Sequence, residues 1–256
     1  MVSVKKKIVF ITGASSGIGR SCVRSFAREG ASILMAARRA DRLKVLAEEL
    51  KGEYGVPVHH FGLDVRDQPA VEKSLAGLPE NWKPVDVLVN NAGLSRGLDK
   101  FHEGKLSDWE EMIDTNVKGL IYVSRAILPG MVARGGGHVI NIGSIAGHEL
   151  YPGGNVYCAS KFAVKALTRG LRLDLSGTNV RVSTVDPGMV ETEFSLVRFH
   201  GDEARASKVY QGFAPLSPDD IAEAVLFCAT RPPHVNISEV IVMPTAQAST
   251  TLVHRK

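Results

Sequence analysis

The sequence predicts a single α/β domain with a doubly wound sheet, and three observations carry this prediction. Short runs of apolar, β-branched residues alternate with longer helical patterns along the whole chain. The strand-like runs are almost continuously apolar, as in parallel strands that helices cover on both faces. The 256 residues, 44% of them apolar, contain no internal repeat and no Pro/Gly-rich linker. One domain spanning residues 1–256 is therefore the economical interpretation.

Seven strands and six helices follow from these patterns. The strands are predicted over residues 7–12, 32–37, 58–63, 85–90, 138–142, 180–185 and 239–243. The helices are predicted over residues 18–28, 41–50, 68–78, 107–129, 156–175 and 219–230. The exception to this regular alternation is a long stretch over residues 188–215. We expect it to form a substrate loop, because long excursions in compact domains are often lids or binding loops.

The charge balance gives no sign of a nucleic-acid or membrane partner. The net charge is +4, from 31 Lys and Arg against 27 Asp and Glu, and a basic protein can bind either kind of anionic surface. Here the basic residues are scattered. The only tight run, Lys5-Lys6-Lys7, directly precedes the first strand, which is typical of a solvated strand flank.

The cysteines and the apolar runs indicate a soluble, cytoplasmic protein. The chain has three cysteines, an odd number, and none lies in a C-x-x-C pair or beside a His cluster. We therefore expect neither a disulfide framework nor a metal site. The first strand begins within eight residues of the start, which leaves no room for a cleaved signal, and the apolar runs are too short to span a bilayer.

A glycine-rich turn joins the first strand to the first helix and indicates a dinucleotide-binding Rossmann fold. Gly13 permits a tight turn, while Gly17 and Gly19 let the backbone and the helix approach a pyrophosphate, which the helix N-terminus attracts. The spacing G-x3-G-x-G differs from the common G-x-G-x-x-G, and such a turn can also simply close a loop. The cofactor contacts predicted here are Gly13, Ser15, Ser16, Gly17, Ile18 and Gly19.

Two arginines at the end of the second strand favour NADP over NAD. Folds that prefer NAD place a carboxylate at this point for the ribose 2′-hydroxyl. Here the strand ends in Ala36-Ala37-Arg38-Arg39, and guanidinium groups pair well with a 2′-phosphate. The alternative is that Arg38 and Arg39 only begin a solvated helix.

A serine, a tyrosine and a lysine form a candidate catalytic group. Tyr157 and Lys161 are four residues apart on one helix, so they share a face, and Ser144 follows the fifth strand. A free tyrosine has a pKa of about 10, too high for an efficient base near neutral pH. An ammonium about 4.5 Å away would stabilise the phenolate by roughly 3–4 kcal/mol, or about 2–3 pKa units. Ser144 would donate a hydrogen bond to the substrate oxygen.

Taken together, these residues resemble the short-chain dehydrogenase/reductase superfamily over essentially the whole chain. The elements that carry the resemblance, in their order and spacing, are residues 12–19, Asp64-Val65, residues 90–93, Asn116, Ser144, Tyr157/Lys161 and Pro187-Gly188. The resemblance implies a seven-stranded parallel sheet, an oxidoreductase that transfers a hydride between a nicotinamide and an alcohol or carbonyl, and a Ser–Tyr–Lys active centre.

The resemblance also implies roles for further residues. Asn116 would hold a water that links Lys161 to solvent as a proton relay. Asp64 and Val65 would contact the adenine, Asn91 the adjacent ribose, and Lys161 the nicotinamide ribose. The remaining cofactor contacts that it implies are Ala92, Gly93, Tyr157, Pro187, Gly188, Val190 and Thr192.

A closer resemblance is to the NADP-dependent 3-hydroxy acid dehydrogenases, of the serine and L-allo-threonine dehydrogenase type. It is carried by residues 109–116, 153–157 and 190–199, and by Met243-Pro244 followed by Gln247. It implies oxidation of serine, L-allo-threonine, 3-hydroxyisobutyrate or 3-hydroxypropionate, reduction of the corresponding semialdehydes, and a homotetramer. One feature departs from many NADP-preferring relatives, since position 16 is Ser and not a basic residue.

The sequence is compatible with several classes of substrate. A hydroxy acid brings a carboxylate that needs a cation or several donors once it leaves water. Arg198 is the candidate for that cation, and a solvated loop arginine is the alternative. An apolar pocket would instead indicate steroid or terpenoid alcohols, and sulfoacetaldehyde is a further substrate for the same chemistry. A non-catalytic NADPH-binding protein would lack one of the four catalytic residues, and all four are present.

Overall fold

The computed structural model describes residues 2–256, and in this part of the chain seven parallel strands form one sheet in the order β3-β2-β1-β4-β5-β6-β7. The chain moves outward from β1 in one direction and then, from β4, in the other. Such a reversal is the switch point at which doubly wound sheets bind ligands, beyond the carboxyl ends of the strands. The predicted fold class is confirmed. The strands are β1 (Ile8–Thr12), β2 (Ser32–Ala37), β3 (Val58–Gly62), β4 (Val87–Asn90), β5 (Gly137–Ile142), β6 (Val180–Pro187) and β7 (Glu239–Val242).

Helices cover both faces of the sheet. Over residues 2–256 they are α1 (Gly17–Arg28), α2 (Ala40–Tyr54), α3 (Gln68–Ala76), α4 (Leu106–Ile113), α5 (Leu120–Ala133), α6 (Asn155–Asp174), α7 (Phe194–Arg198), α8 (Glu203–Lys208) and α9 (Pro218–Ala229). Short 3₁₀ turns lie at Glu80–Trp82 and Ile145–Gly147.

Two cores result from this layering. On one face, α1, α2 and α9 contribute buried residues such as Phe26, Leu50 and Val225. On the other face, α3 and α5 contribute residues such as Val71 and Met131. The central strands β1, β2 and β4 are almost continuously apolar because both of their faces are buried.

The predicted helix over residues 107–129 differs from the structure in its interior and at its end. A π-helical turn at Asp114–Gly119 separates α4 from α5, and α5 continues through Pro129 to Ala133. Gly119, the last residue of the π-helical turn, packs closely against Val65, since a Cβ at position 119 would lie 2.6 Å from Val65 Cγ2. A π-helical turn is wider than an α-helical turn, and apolar periodicity does not reveal this difference. Such turns occur frequently at functional sites.

The long stretch over residues 188–215 contains the two short helices α7 and α8. Its role as the substrate loop stays a prediction. No helix within residues 2–256 is both long and apolar enough to cross a membrane.

Candidate active site

The glycine-rich turn forms a cradle between β1 and α1. Gly13 and Gly17 have φ values of +65° and +49°, in the left-handed region that favours glycine. A Cβ at position 13 would lie 2.9 Å from Ala92 Cα, and one at position 17 would lie 3.2 Å from Thr192 Cγ2. Side chains at these two positions would therefore close the space above the turn.

Asn91 and Gly19 explain the unusual glycine spacing. The Asn91 amide donates hydrogen bonds to the carbonyls of Thr12, at 2.9 Å, and Gly13, at 3.2 Å. A Cβ at position 19 would lie 2.4 Å from Asn91 Nδ2. Gly19 thus lets α1 pack closely against the ends of β1 and β4, and its contact with the cofactor stays a prediction.

A cleft of about 400 Å³ runs along the carboxyl ends of the strands. It brings together residues that are far apart in the sequence. Of the predicted site residues, Gly19, Asn116 and Arg198 are not among its lining residues. Those that line it are Gly13, Ser15, Ser16, Gly17, Ile18, Arg38, Arg39, Asp64, Val65, Asn91, Ala92, Gly93, Ser144, Tyr157, Lys161, Pro187, Gly188, Val190 and Thr192.

The two predicted 2′-phosphate arginines point to different places. Arg39 lies over the glycine-rich turn, where its Nε donates to Ser15 Oγ at 3.2 Å and its Nη2 to Ser16 Oγ at 2.7 Å. Arg38 Nη1 instead lies 3.6 Å from Glu111 Oε1. Ser16 therefore accepts a hydrogen bond from Arg39, the N-cap residue of α2 just after the end of β2.

A second charged group lies at the opposite edge of the cleft. Arg66 pairs with both carboxylate oxygens of Asp64, at 3.0 Å from Nε and 2.6 Å from Nη2. Burial raises the pKa of Asp64, but the hydrogen bonds and the charge of Arg66 outweigh it, so the pKa lies below its usual value. Asp64 is consequently an ionised acceptor at neutral pH.

Tyr157 and Lys161 lie one turn apart on α6, and both are buried, with exposed fractions of 8% and 7%. The Lys161 ammonium donates to the carbonyl of Ile142 at 3.0 Å and lies 5.9 Å from the centroid of the Tyr157 ring. Burial lowers the pKa of Lys161 from 10.5 to about 8, and the carboxylate of Asp186 opposes this shift. Lys161 is thus a buried cation held between two strand ends.

The pKa of Tyr157 moves in the direction opposite to the prediction. Burial raises it above 10.0, and this effect outweighs the lowering by the charge of Arg198 and by the hydrogen bond with Ser144. The predicted lowering of the pKa rested on the charge of Lys161 alone, and the loss of solvation of the phenolate acts against it. In the protein alone, desolvation therefore determines the direction of the shift, and Arg198 supplies a lowering charge that the sequence argument missed.

Ser144 stands at the end of β5 in an extended conformation. Its Oγ accepts a hydrogen bond from the Ala146 backbone at 3.1 Å, as the N-cap of a 3₁₀ turn. This bond fixes the side chain beside Tyr157, and the backbone N–H uses only one lone pair of the hydroxyl. The hydroxyl donates to the carbonyl of Pro187 at 3.5 Å, a long bond from which a substrate oxygen could take over the proton.

Asn116 lies in the π-helical turn with an exposed fraction of 2%. Its amide donates to the carbonyl of Leu94 at 2.8 Å and to Ser160 Oγ at 3.0 Å, and its Oδ1 accepts from the Leu94 backbone. A Cβ at Gly93 would lie 3.2 Å from Asn116 Oδ1 and 3.7 Å from Lys161 Nζ. The amide and the ammonium thus flank the same glycine, and the water relay stays a prediction.

Arg198, the last residue of α7, packs against three aromatic rings. Its guanidinium lies 5.0 Å from the ring centroid of Phe194, 5.4 Å from that of Tyr157 and 5.9 Å from that of Tyr151. Its Nη2 donates to the Tyr151 hydroxyl at 3.1 Å, while its buried Nε has no hydrogen-bond partner within residues 2–256. A buried guanidinium donor without a partner is rare and suits an anionic ligand.

A cluster of polar side chains lies near the candidate catalytic residues. His148, Asp186 and Glu239 each place a potential ligand atom within 4.8 Å of the others. Lys165 Nζ lies 2.7 Å from His148 Nδ1 and 3.8 Å from Glu239 Oε1, so a cation already occupies the group. His148 Nε2 donates to Asp186 at 2.7 Å in the tautomer that this lysine selects. The expectation of no metal site stays a prediction.

Replacing Gly143 with Ala is expected to lower the free energy of unfolding by about 3 kcal/mol, at the upper end of overpacking effects. A Cβ at position 143 would lie 1.9 Å from Asp186 Oδ1 and 2.9 Å from Thr184 Oγ1, and both side chains are buried and bonded to each other at 2.5 Å. Urea unfolding measures the change. Gly52→Ala is the control, because its Cβ would meet nothing within 4 Å on the exposed side of α2, and it should add about 0.5–1 kcal/mol. Equal effects of the two changes would contradict the tight packing at Gly143.

Replacing Lys161 with Met is expected to raise the free energy of unfolding at pH 7 by about 1–3 kcal/mol. Since burial lowers the pKa of Lys161 from 10.5 to about 8, the unfolded chain holds its proton more tightly. The cost of the buried charge is therefore fully present below pH 8 and is relieved as the pH rises from about 8 to 10.5. Urea unfolding at pH 7 and pH 10 should show the gain shrinking at the higher pH.

Lys44→Met on the exposed side of α2 is the control for this change, and it should alter stability by less than about 0.5 kcal/mol at either pH. A loss of stability in Lys161→Met at pH 7 would show that the contacts of the ammonium outweigh the cost of its burial.

The chain belongs to the short chain dehydrogenase family, whose pattern matches residues 7–201. The NADP-dependent 3-hydroxy acid dehydrogenase YdfG of Escherichia coli is 49% identical over 251 residues, which cover 97% of this chain and 100% of that protein. Sulfoacetaldehyde reductase 2 of Chromohalobacter salexigens is 49% identical over 242 residues, covering 94% of this chain and 95% of the relative. The resemblance predicted from the sequence is confirmed.

Solved structures give the same result for the fold. The closed form of serine dehydrogenase complexed with NADP+ is 49% identical and matches with a TM-score of 0.91, covering 97% of this chain and 100% of that chain. Serine dehydrogenase from Escherichia coli is 44% identical with a TM-score of 0.82, covering 94% of this chain and 99% of that chain.

Proposed function

We propose that this chain is an NADP-dependent oxidoreductase that transfers a hydride between the nicotinamide and a small 3-hydroxy acid or its semialdehyde. The prediction of a dehydrogenase of this family with NADP as cofactor is confirmed by relatives that are named NADP-dependent and by a solved neighbour that holds NADP+. The substrates and the roles of individual residues are the part that we infer. The partially buried Arg198 beside Tyr157 is the observation that carries the choice of an acidic substrate.

The residues of the cleft fit NADP. The cradle of Gly13 and Gly17 leaves room that any Cβ would fill, and it opens α1 to an anion at its positive N-terminal end. Arg39 lies above that cradle and supplies the charge for a 2′-phosphate. Asp64 and Val65 line the opposite side, where the adenine would bind.

Tyr157 would act as the general acid and base. During oxidation its Oη takes the proton of the substrate hydroxyl, and during reduction it returns a proton to the carbonyl oxygen. Ser144 donates a hydrogen bond to the same substrate oxygen and so resists the build-up of charge there. Bound NADP supplies the hydride acceptor for the carbinol carbon, and its reduced form the donor.

Lys161 would keep Tyr157 functional near neutral pH. Burial alone raises the pKa of Tyr157, so an efficient base requires cations that favour the phenolate. Lys161 supplies one of these charges, and the adjacent Asn116 would pass the proton onward through a water to solvent. Arg198, 5.4 Å from the centroid of the Tyr157 ring, supplies a further charge.

A carboxylate on the substrate would find its partner in Arg198. This guanidinium lies beside the Tyr157 ring, is held by Tyr151, and keeps its Nε without a partner within the described residues. A substrate oxygen at Tyr157 and a carboxylate at Arg198 would be separated by a short carbon chain, as in a 3-hydroxy acid. The unpaired donor would then be satisfied by the substrate.

Sulfoacetaldehyde is a second candidate because its sulfonate would use the same arginine, and two relatives bear the name sulfoacetaldehyde reductase. An apolar ketone, such as a steroid or terpenoid, would leave Arg198 without its anion at a desolvation cost. The structure therefore favours the acidic substrates over the apolar ones.

The test is the change in ultraviolet absorbance of the nicotinamide, with NADP or NAD, against a panel of alcohols. The panel contains serine, L-allo-threonine, 3-hydroxyisobutyrate, 3-hydroxypropionate, isethionate and one steroid alcohol. Reduction of NADP by the hydroxy acids is expected. Turnover of the steroid alone would contradict the acidic substrate, and isethionate alone would favour the sulfonate.

From the family resemblance we also propose a homotetramer in the cytoplasm. Light scattering of the purified protein tests the subunit number, and a mass near one or two chains would contradict a tetramer.

A further inference from the structure

Glu193 places a carboxylate beside the arginine expected to bind the 2′-phosphate. Its Oε2 lies 2.8 Å from Arg39 Nη1, and its Oε1 lies 2.7 Å from Arg42 Nη1. Burial raises the pKa of Glu193, but the hydrogen bonds from Arg42 and Arg39 outweigh it and hold the pKa below its usual value. Glu193 is therefore ionised throughout the neutral pH range.

The contacts of Arg39 limit what it can offer to a ligand. A guanidinium has five N–H donors, and Ser15, Ser16 and Glu193 each use one of them. A 2′-phosphate bound at Arg39 would meet the negative charge of Glu193 within a few ångströms. The phosphate must then share the guanidinium with this carboxylate or displace it.

The carboxylate of Glu193 is also the kind of group that favours NAD. Sites that prefer NAD present a carboxylate to the ribose 2′-hydroxyl, and in this sequence β2 ends in arginines where that carboxylate would stand. Glu193 supplies a carboxylate at the same place from a different element, the segment just before α7.

We propose that Glu193 is a cofactor-specificity residue that competes with the 2′-phosphate of NADP for Arg39 and accepts a hydrogen bond from the 2′-hydroxyl of NAD. It thereby weakens the preference for NADP that Arg38 and Arg39 create. Glu193 directly precedes Phe194, whose ring meets the Tyr157 ring edge-on at 5.7 Å. This inference rests on the proposed use of NADP and is independent of the substrate.

The test compares Glu193→Gln with Glu191→Gln, by isothermal titration of NADPH and NADH into each variant. Glu191 lies two residues earlier, is exposed, and forms no ion pair within residues 2–256, so its change removes the same charge without touching Arg39. Removing the like charge beside a phosphate is expected to lower the Kd for NADPH about three- to tenfold. The Kd for NADH should rise, because its 2′-hydroxyl loses a charged acceptor, so the ratio of the two constants shifts by more than about threefold.

Ionic strength supplies a second readout. The difference between the two variants in NADPH affinity should shrink as salt increases, because the repulsion is partly exposed to solvent. Weaker or unchanged NADPH binding in Glu193→Gln, or equal effects of the two changes, would overturn the competition. Absence of NADPH binding to the unchanged protein would instead overturn the proposed function.

Discussion

Replacing Tyr157 with Phe is expected to lower kcat by about 10²–10⁴-fold, the usual effect of losing a positioned proton donor and acceptor. The change removes one hydroxyl and keeps the ring in its packing against Phe194 and Arg198. The cofactor cradle around Gly13 and Gly17 is untouched, so the Kd for NADPH should stay within about twofold. Steady-state kinetics and NADPH titration measure the two quantities separately.

Tyr54→Phe provides the control, because this tyrosine ends α2 away from the cleft and its change should leave kcat unaltered. If Tyr157→Phe kept more than about a tenth of the original activity, another group would have to move the proton. If it lost NADPH binding as well, the hydroxyl would contribute to cofactor binding more than to proton transfer.

Local sequence patterns predicted the fold and the central part of the cleft, and the family resemblance supplied the other predicted lining residues. The spacing of Tyr157 and Lys161 places both side chains on one helix face, and strand ends meet at one edge of a parallel sheet. These two rules bring Ser144, Tyr157 and the glycine-rich turn together without any knowledge of long-range contacts. They also explain why Arg39 lies over that turn, since β1 and β2 are neighbours in the sheet.

Pairs that join distant elements could not be predicted in the same way. Glu193 reaches Arg39 across 154 positions in the sequence, and no local spacing indicates such a contact. Asp186 could have been suspected from its position at the end of β6, but its partner His148, 38 positions away, depends on how the strand ends pack. The direction of the Tyr157 pKa shift failed for a related reason, because burial is a property of the whole fold and outweighs a single neighbouring charge.

Replacing Arg198 with Ala is expected to lower kcat/KM for 3-hydroxy acids by about 30- to 1,000-fold, as truncation of a desolvated charge pair costs about 2–4 kcal/mol. The guanidinium is partly buried between Tyr151 and Phe194, next to the Tyr157 ring that lines the cleft, so the lost partner cannot easily be replaced by water. An uncharged alcohol of the same length makes no such pair, and its kcat/KM should fall by less than about tenfold.

The smaller effect on an uncharged alcohol comes from the influence of Arg198 on Tyr157, and the pH profile separates this influence from carboxylate binding. The charge of Arg198 lowers the pKa of Tyr157, so its removal should move the rising limb of the oxidation profile to higher pH for every substrate. Arg198→Lys keeps the charge and loses the planar fork. It should restore the position of the limb while leaving hydroxy-acid affinity reduced.

Tyr151→Phe is the matched control because it removes the hydroxyl that holds Arg198 Nη2 at 3.1 Å and keeps the guanidinium. It frees a donor and should change kcat/KM for hydroxy acids by less than about tenfold. Equal losses of kcat/KM for charged and uncharged substrates in Arg198→Ala would contradict carboxylate binding by Arg198. Arg198 would then act only through the pKa of Tyr157. A selective loss with an unmoved pH limb would support carboxylate binding alone. We expect both effects together, because one guanidinium lies beside the Tyr157 ring and also keeps an Nε donor without a partner within the described residues.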